Sequence, residues 1–332
     1  MAKKNSNKKV FLHIGFFKTG TSAVQEFLYI NRSFLKANNY YYPDLGCNHH
    51  NCLPAMMAFS AGSPVPPVSR MDECQKGAVE IWNEIISGFE VSSLDNLIIS
   101  AEMFVDFSYK EQYHYLVDEV KKYLSGYQVT VVVYLREHIS YIRSMYQQII
   151  KDGDIFTKEE AFILNHLNGW HMSFYPTLQN WARVFGKENM VVDIYEGRTY
   201  GADGLYRDFL GKIGLCWDDS YKLPVQNKNI SVSPEWVEAK RVFNLINKAP
   251  NPVRWLMDDQ SSMSGFSDED IEMINASVQK DMELVKGEFT PANDFEFSPL
   301  SCHRFNSGIN MNILDNVALL LLAERVKKGG DY

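Results

Sequence analysis

Val10-Phe11-Leu12-His13-Ile14-Gly15-Phe16-Phe17-Lys18-Thr19-Gly20-Thr21-Ser22 is the stretch whose reading decides the fold. An apolar, strand-like run enters a short glycine-bearing loop, and the loop runs into a helix-like segment at residues 23–31. Strand, tight loop and helix in that order bring backbone N–H groups at a helix N-terminus onto a phosphate. Against the pattern G-x-x-x-x-G-K-[ST], the glycines fall at Gly15 and Gly20, but Thr21 stands where the lysine belongs. The lysine sits three residues earlier, at Lys18. A lysine at position 21 would reach the β- and γ-phosphates of ATP, whereas Lys18 lies on the loop itself, beside whatever leaves a single 5′-phosphate. That shift points to a phosphate-linked donor other than ATP.

A second element follows about 115 residues later. Val129-Thr130-Val131-Val132-Val133-Tyr134-Leu135 reads as a strand ending at Arg136, and Ser144 lies eight residues on, within a helix-like segment at 139–150. The loop Lys18-Thr19-Gly20-Thr21-Ser22 resembles the 5′-phosphosulfate loop of sulfotransferases that use 3′-phosphoadenosine-5′-phosphosulfate (PAPS), with Phe17 where that family usually has proline. The resemblance implies that Phe17, Lys18, Thr19, Gly20, Thr21 and Ser22 bind the 5′ end of the donor, and that Arg136 and Ser144 bind its 3′-phosphate. A donor with phosphate at both ends of its ribose needs two anion sites, a helix N-terminus for one and a guanidinium fork with a hydroxyl for the other. ATP would not require the second.

At 332 residues with 45% hydrophobic and 13% aromatic content, the chain can bury a sizeable core and is not a disordered protein. A net charge of −8 disfavours a nucleic-acid binder that works through a broad basic surface. The N-terminal residues are rich in lysine and asparagine without a long apolar run behind them, so residues 1–8 read as a flexible lead and not as a signal peptide. The longest apolar run, 317–323, is too short to span a bilayer. Five scattered cysteines favour reduced thiols over a disulfide framework, and a cytoplasmic protein is the expectation. Because PAPS is made in the bacterial cytosol, the resemblance implies the same compartment.

Hydrophobic periodicity predicts helices at 74–88, 110–124, 174–185, 204–213, 234–247, 268–286 and 312–327, with further strands at 96–100 and 190–195. Residues 40–46 read as turn-rich, and 60–69, with Pro64, Pro66 and Pro67, as a surface loop. Strands alternating with helices imply an α/β fold, here a P-loop-like three-layer arrangement with a central parallel sheet flanked by helices. The whole chain, 1–332, is expected to form one domain, with a mostly helical part at 215–332 packed on it. Active-site groups should gather at the carboxyl ends of the strands, where Lys18, Glu102 and Arg136 all fall.

Glu102 ends the run Leu97-Ile98-Ile99-Ser100-Ala101-Glu102. In glycan-modifying sulfotransferases that this pattern resembles, a glutamate in a Ser-x-Glu setting takes the acceptor proton, and a hydroxyl attacking sulfur must lose its proton to some base. Lys18 would neutralise charge on the bridging oxygen as the sulfuryl group departs. Cys47, His49, His50 and Cys52 are zinc-ligand types, but all four fall within six residues without the separated pairs of a tetrahedral site, so no metal is expected. One of the histidines, His50 in particular, is a candidate to assist proton transfer. Asn227, Lys228 and Ser231 resemble an asparagine-x-serine stretch of the bacterial members, and Trp170, His171, Phe174 and Tyr175 could line a sugar site or belong to the core.

The reading is a bacterial-type, PAPS-dependent sulfotransferase. It acts on a hydroxyl or amine of a carbohydrate, glycoconjugate or glycolipid, with no nucleic-acid partner and no transmembrane segment. The alternatives are a P-loop kinase using ATP and magnesium, and a non-catalytic nucleotide- or glycan-binding protein of the same fold.

Overall fold

The structure, a computed structural model, describes residues 7–62, 76–108, 111–167, 169, 172–195, 203–225, 234–248, 267–290 and 299. The expectations for Trp170, His171, Asn227, Lys228, Ser231, the loop beyond residue 62 and the helix at 312–327 lie outside them.

Among the described residues, β1 (Lys9–His13), β2 (Tyr40–Tyr41), β3 (Asn96–Ser100), β4 (Gln128–Leu135) and β5 (Met190–Ile194) form one sheet in the order β2-β3-β1-β4-β5. Every pairing is parallel. Strands β1, β3 and β4 are nearly continuous apolar runs because both of their faces are covered, as parallel sheets require. On one face, α1 (Thr21–Ile30) and α9 (Gly204–Lys212) lay Phe27, Leu28, Phe209 and Leu210 over Phe11, Ile98, Val132 and Tyr134. A fully buried phenylalanine such as Phe27 contributes about 2 kcal/mol by leaving water. The intervening residues Leu12, Ile99, Val131 and Val133 are buried too, and α8 (Phe174–Phe185) packs against β4 and α5 (Tyr115–Tyr123). The expected α/β class, with helices on a central parallel sheet, is the one observed.

Parallel order places β1 between β3 and β4, so His13 stands opposite Ser100 on one side and Val132 on the other. The loop after β1, Glu102 after β3 and Arg136 after β4 therefore all follow the carboxyl ends of the three inner strands.

The described residues divide into two compact units, the first from segments of Met1–Arg136, Ser173–Val225 and Asp281–Phe295, the second from the remainder. The first holds the sheet. The second is helical, with α6 (His138–Asp152), α7 (Glu159–His166), α10 (Pro234–Lys248) and the greater part of α11 (Asp268–Glu288). Ile142, Tyr146, Phe162, Val237, Ile274 and Val278 form its core. Glu137 caps α6 by accepting from the N–H groups of Ile139 and Ser140. Buried Arg241 is satisfied by Glu238 and by the carbonyl of Phe156.

Several local expectations need correcting. Tyr40 and Tyr41 form an edge strand inside the turn-rich stretch, too short to show a period. Short helices at α3 (Cys52–Ser60), at α7 and in a 3-10 segment, Glu102–Ser108, were not expected. Lys8 is not part of a flexible lead: its ammonium is buried, donates to the carbonyl of Phe89 and pairs with Glu90. Cys52 is disulfide-bonded, against the expectation of reduced thiols, while Cys47 and Cys216 take part in no disulfide. The inference from reduced thiols to a cytoplasmic location loses that support. Among the described residues no helix is long and apolar enough to cross a membrane.

Candidate functional site

After His13 the chain turns tightly before it can start α1. Gly15 has φ +31° and Gly20 φ +79°, values that side chains rarely accept, and both are also closed to a Cβ atom by their neighbours. On Gly15 it would collide with the Thr21 methyl; on Gly20 it would stand 2.7 Å from the Tyr195 ring and 2.8 Å from Leu205. Lys18 adopts φ +65° despite its side chain, at a cost of about 1–2 kcal/mol. Arg136 braces that conformation, its Nη1 donating to the Lys18 carbonyl at 3.2 Å.

Helix α1 has no side-chain cap. Its first bonds run from the N–H groups of Ala23 and Val24 to the Gly20 carbonyl. The N–H groups of Gly20, Thr21 and Ser22 make no hydrogen bond among the described residues, as expected for a first turn. They carry the positive end of the helix dipole, an arrangement that in general favours an anion. Thr21 is only 4% exposed, and its side chain points into the loop instead of outward like a phosphate-reaching lysine. Thr19 differs from expectation: fully buried, it donates its hydroxyl to the Phe16 carbonyl at 2.6 Å and so braces the loop. Phe17 and Lys18 are half-buried and Ser22 is exposed.

Glu102 approaches from β3. Its Cβ and Cα lie 3.6 and 3.7 Å from where a Cβ on Gly15 would stand, which sets this carboxylate-bearing residue beside the phosphate-type loop. It opens the 3-10 segment and is buried, and a second carboxyl, Asp106, follows on the same segment. Burial, and then the negative charge of Glu102, push the Asp106 carboxyl up to about 7.

Two buried histidines are hydrogen-bonded to Ser100, two residues before Glu102. His13 Nδ1 and Ser100 Oγ are hydrogen-bonded at 2.8 Å, and burial drives the His13 imidazole down to about 3, so the ring is neutral. His50 accepts from the Ser100 N–H at Nδ1 (3.1 Å), so Nε2 carries the proton and donates it to the Pro43 carbonyl, also at 3.1 Å. Burial lowers its pKa to about 4. With both nitrogens engaged and the ring fully buried, His50 has no site for the acceptor proton expected of it. His49 lies in the same loop, its Nδ1 3.7 Å from Cys47 Sγ.

The elements thus bring together Lys18, Gly20, Thr21, Ser22, Glu102 and Arg136. Ser144 stands half-buried on α6, in the second unit. Phe174 is core, meeting Phe16 edge-on at 4.8 Å, and the Tyr175 hydroxyl donates to Glu288. Tyr195 escaped sequence reading although it follows β5 as Arg136 follows β4. Its ring packs on Gly20 and lies 5.9 Å from the Arg136 guanidinium. The strand-end rule would have found it; nothing in the sequence marks Asn51 or Asp106.

No family model matches this sequence. An uncharacterized protein of Archaeoglobus fulgidus is 23% identical over 160 residues, which cover 48% of this chain. The match spans 41% of that relative's own length. A sulfotransferase from Alicyclobacillus acidocaldarius, known from its crystal structure, is similar over 81% of this chain and 95% of its own, with 12% identity and a TM-score of 0.42.

Proposed function

We propose that this chain transfers a sulfuryl group from PAPS to a hydroxyl or amine of an acceptor, a carbohydrate or glycoconjugate. One observation carries the reading: Glu102 stands against Gly15, at the mouth of a loop whose Gly20, Thr21 and Ser22 N–H groups make no hydrogen bond among the described residues. A base beside an anion cradle is what transfer to a hydroxyl needs. The fit to the donor is supported by the glycines, whose missing Cβ atoms let backbone come close, and by Thr21, whose inward side chain replaces the lysine of an ATP loop.

When bound, PAPS would supply the sulfuryl group and a leaving group, 3′,5′-ADP. The N–H groups of Gly20, Thr21 and Ser22 would hold the 5′-phosphate, with the Thr21 and Ser22 hydroxyls beside them. Lys18 would offset the charge that grows on the bridging oxygen. Arg136 would hold the 3′-phosphate while bracing the loop through Lys18, and Ser144 keeps its role on its sequence spacing from Arg136 alone. Glu102 would take the acceptor proton.

Calorimetric titration with 3′,5′-ADP, beside ATP with magnesium, tests the reading. Micromolar binding of 3′,5′-ADP that Arg136→Ala weakens, with no binding of ATP, is the expected result. Preference for magnesium-ATP would move the chain to the kinase class.

A further inference from the structure

Glu102 sits in a backbone segment whose amides are held by two remote stretches of chain. The Ala101 N–H donates to the His13 carbonyl at 3.0 Å, which ties the segment to the strand leading into the phosphate-type loop. The amides on either side go elsewhere. Ser100 donates to His50 Nδ1 at 3.1 Å, and Met103 donates to Asn51 Oδ1 at 3.3 Å, across 50 and 52 positions of sequence. The His50 N–H returns a bond to the Ser100 carbonyl at 2.9 Å, so His50 and Ser100 exchange a pair.

Asn51 gives up a local bond to do this. It occupies the N-cap of α3, where asparagine ordinarily accepts from its own helix and contributes about 1 kcal/mol, yet it makes no side-chain cap bond there. Its oxygen is turned to Met103 instead, and the side chain is only 2% exposed. His50 is held in its turn by the Pro43 carbonyl and by the Tyr42 ring at 4.6 Å.

We infer that His50 and Asn51 are positioning residues, which hold Glu102 in register with the loop at Gly15 so that its carboxylate meets the acceptor. The inference rests on the sulfuryl-transfer reading. Neither residue touches the reacting atoms in this scheme; each acts through a backbone amide within two residues of Glu102. Misplacing a catalytic group by about 1 Å costs on the order of a hundredfold in rate while ligand binding at a separate loop is untouched.

The test compares His50→Leu and Asn51→Leu, which remove the acceptors, with His50→Asn and Asn51→Asp, which keep an acceptor atom in place. Three readouts are taken on the full chain: amide hydrogen exchange at Ser100 and Met103, calorimetric binding of 3′,5′-ADP, and release of sulfate from PAPS with water as the acceptor. The leucine variants are expected to lose protection at Ser100 or Met103 and to release sulfate roughly 10–100-fold more slowly, with 3′,5′-ADP affinity unchanged. The acceptor-keeping variants should retain protection and most of the rate. Should Asn51→Leu not fold, Asn51→Ser, whose hydroxyl stops short of the Met103 amide, carries the same expectation. Leucine or serine variants that lose protection yet release sulfate at the wild-type rate would overturn the inference alone. A wild-type chain that binds no 3′,5′-ADP would overturn the transferase reading and the inference with it.

Discussion

Arg136 donates a hydrogen bond to the Lys18 carbonyl at 3.2 Å, across 118 positions of sequence, and thereby ties the end of β4 to the left-handed residue of the loop after β1. The residue proposed to read one phosphate thus also supports the loop proposed to cradle the other.

These two roles separate by ligand. Arg136→Ala should weaken 3′,5′-ADP at least tenfold and 5′-AMP, which lacks the 3′-phosphate, only severalfold, since a lost charge-assisted bond costs about 1.5–3 kcal/mol. Calorimetry with both nucleotides decides between them. Equal losses would leave Arg136 as a brace for Lys18 only.

Glu102→Gln keeps the shape of the side chain and removes its basicity. Turnover should fall roughly 10²–10⁴-fold, with 3′,5′-ADP affinity within about twofold of wild type. A parallel loss of affinity and turnover would make Glu102 a structural support of Gly15.

Gly15→Ala drives a methyl into the Thr21 side chain at a φ of +31°. The expected cost is about 2 kcal/mol in urea unfolding, with loss of 3′,5′-ADP binding. Thr21→Ser removes the opposing methyl, so the double variant should recover part of both. No recovery would place the whole penalty in the backbone.

Acid and base act on stability through different residues. His13 and His50 titrate near 3 and near 4 when folded, below the ordinary 6.5, because burial opposes their charging. The unfolded chain therefore binds more protons between about 4 and 6.5, and stability from these rings rises with pH through that window, by about 1.4 kcal/mol per unit for each, then levels off. Asp106 runs the other way. Its folded value of about 7 lies above the ordinary 3.8, so its contribution falls as pH rises between those values. Asp106→Asn should raise the melting temperature at pH 8 and leave it nearly unchanged at pH 4. Equal gains at both would assign the effect to packing. His50→Asn should flatten the acid side of the stability profile, and an unchanged slope would mean that the His50 ring charges freely in the fold.

Much of this architecture is written in short windows of sequence. The strand, loop and helix at residues 9–30, the apolar runs of β3 and β4 and the arginine closing β4 follow from periodicity and from glycines at turning points, which are rules of neighbouring residues. They were enough to establish a parallel α/β sheet and to nominate Lys18, Glu102 and Arg136. The edge strand at Tyr40, of only two residues, carries too little pattern to be seen that way. What each polar side chain does lay beyond any window. Thr19 and Ser22 look alike as hydroxyls of one loop, yet one is spent on the Phe16 carbonyl and the other is exposed. His50 reads as a proton carrier until Ser100 and Pro43 take both its nitrogens, and Asn51, which nothing local marks, is engaged by the Met103 amide. Those partners are chosen by strand order, which sets β3 and β4 on either side of β1 and brings residues some 50 to 120 positions apart within hydrogen-bond reach. Local sequence determined which chemical groups this protein owns and on which elements they ride. The tertiary structure alone decided which are spent holding the site together, because burial forces each polar atom to find its partner among segments that only the folded sheet makes neighbours.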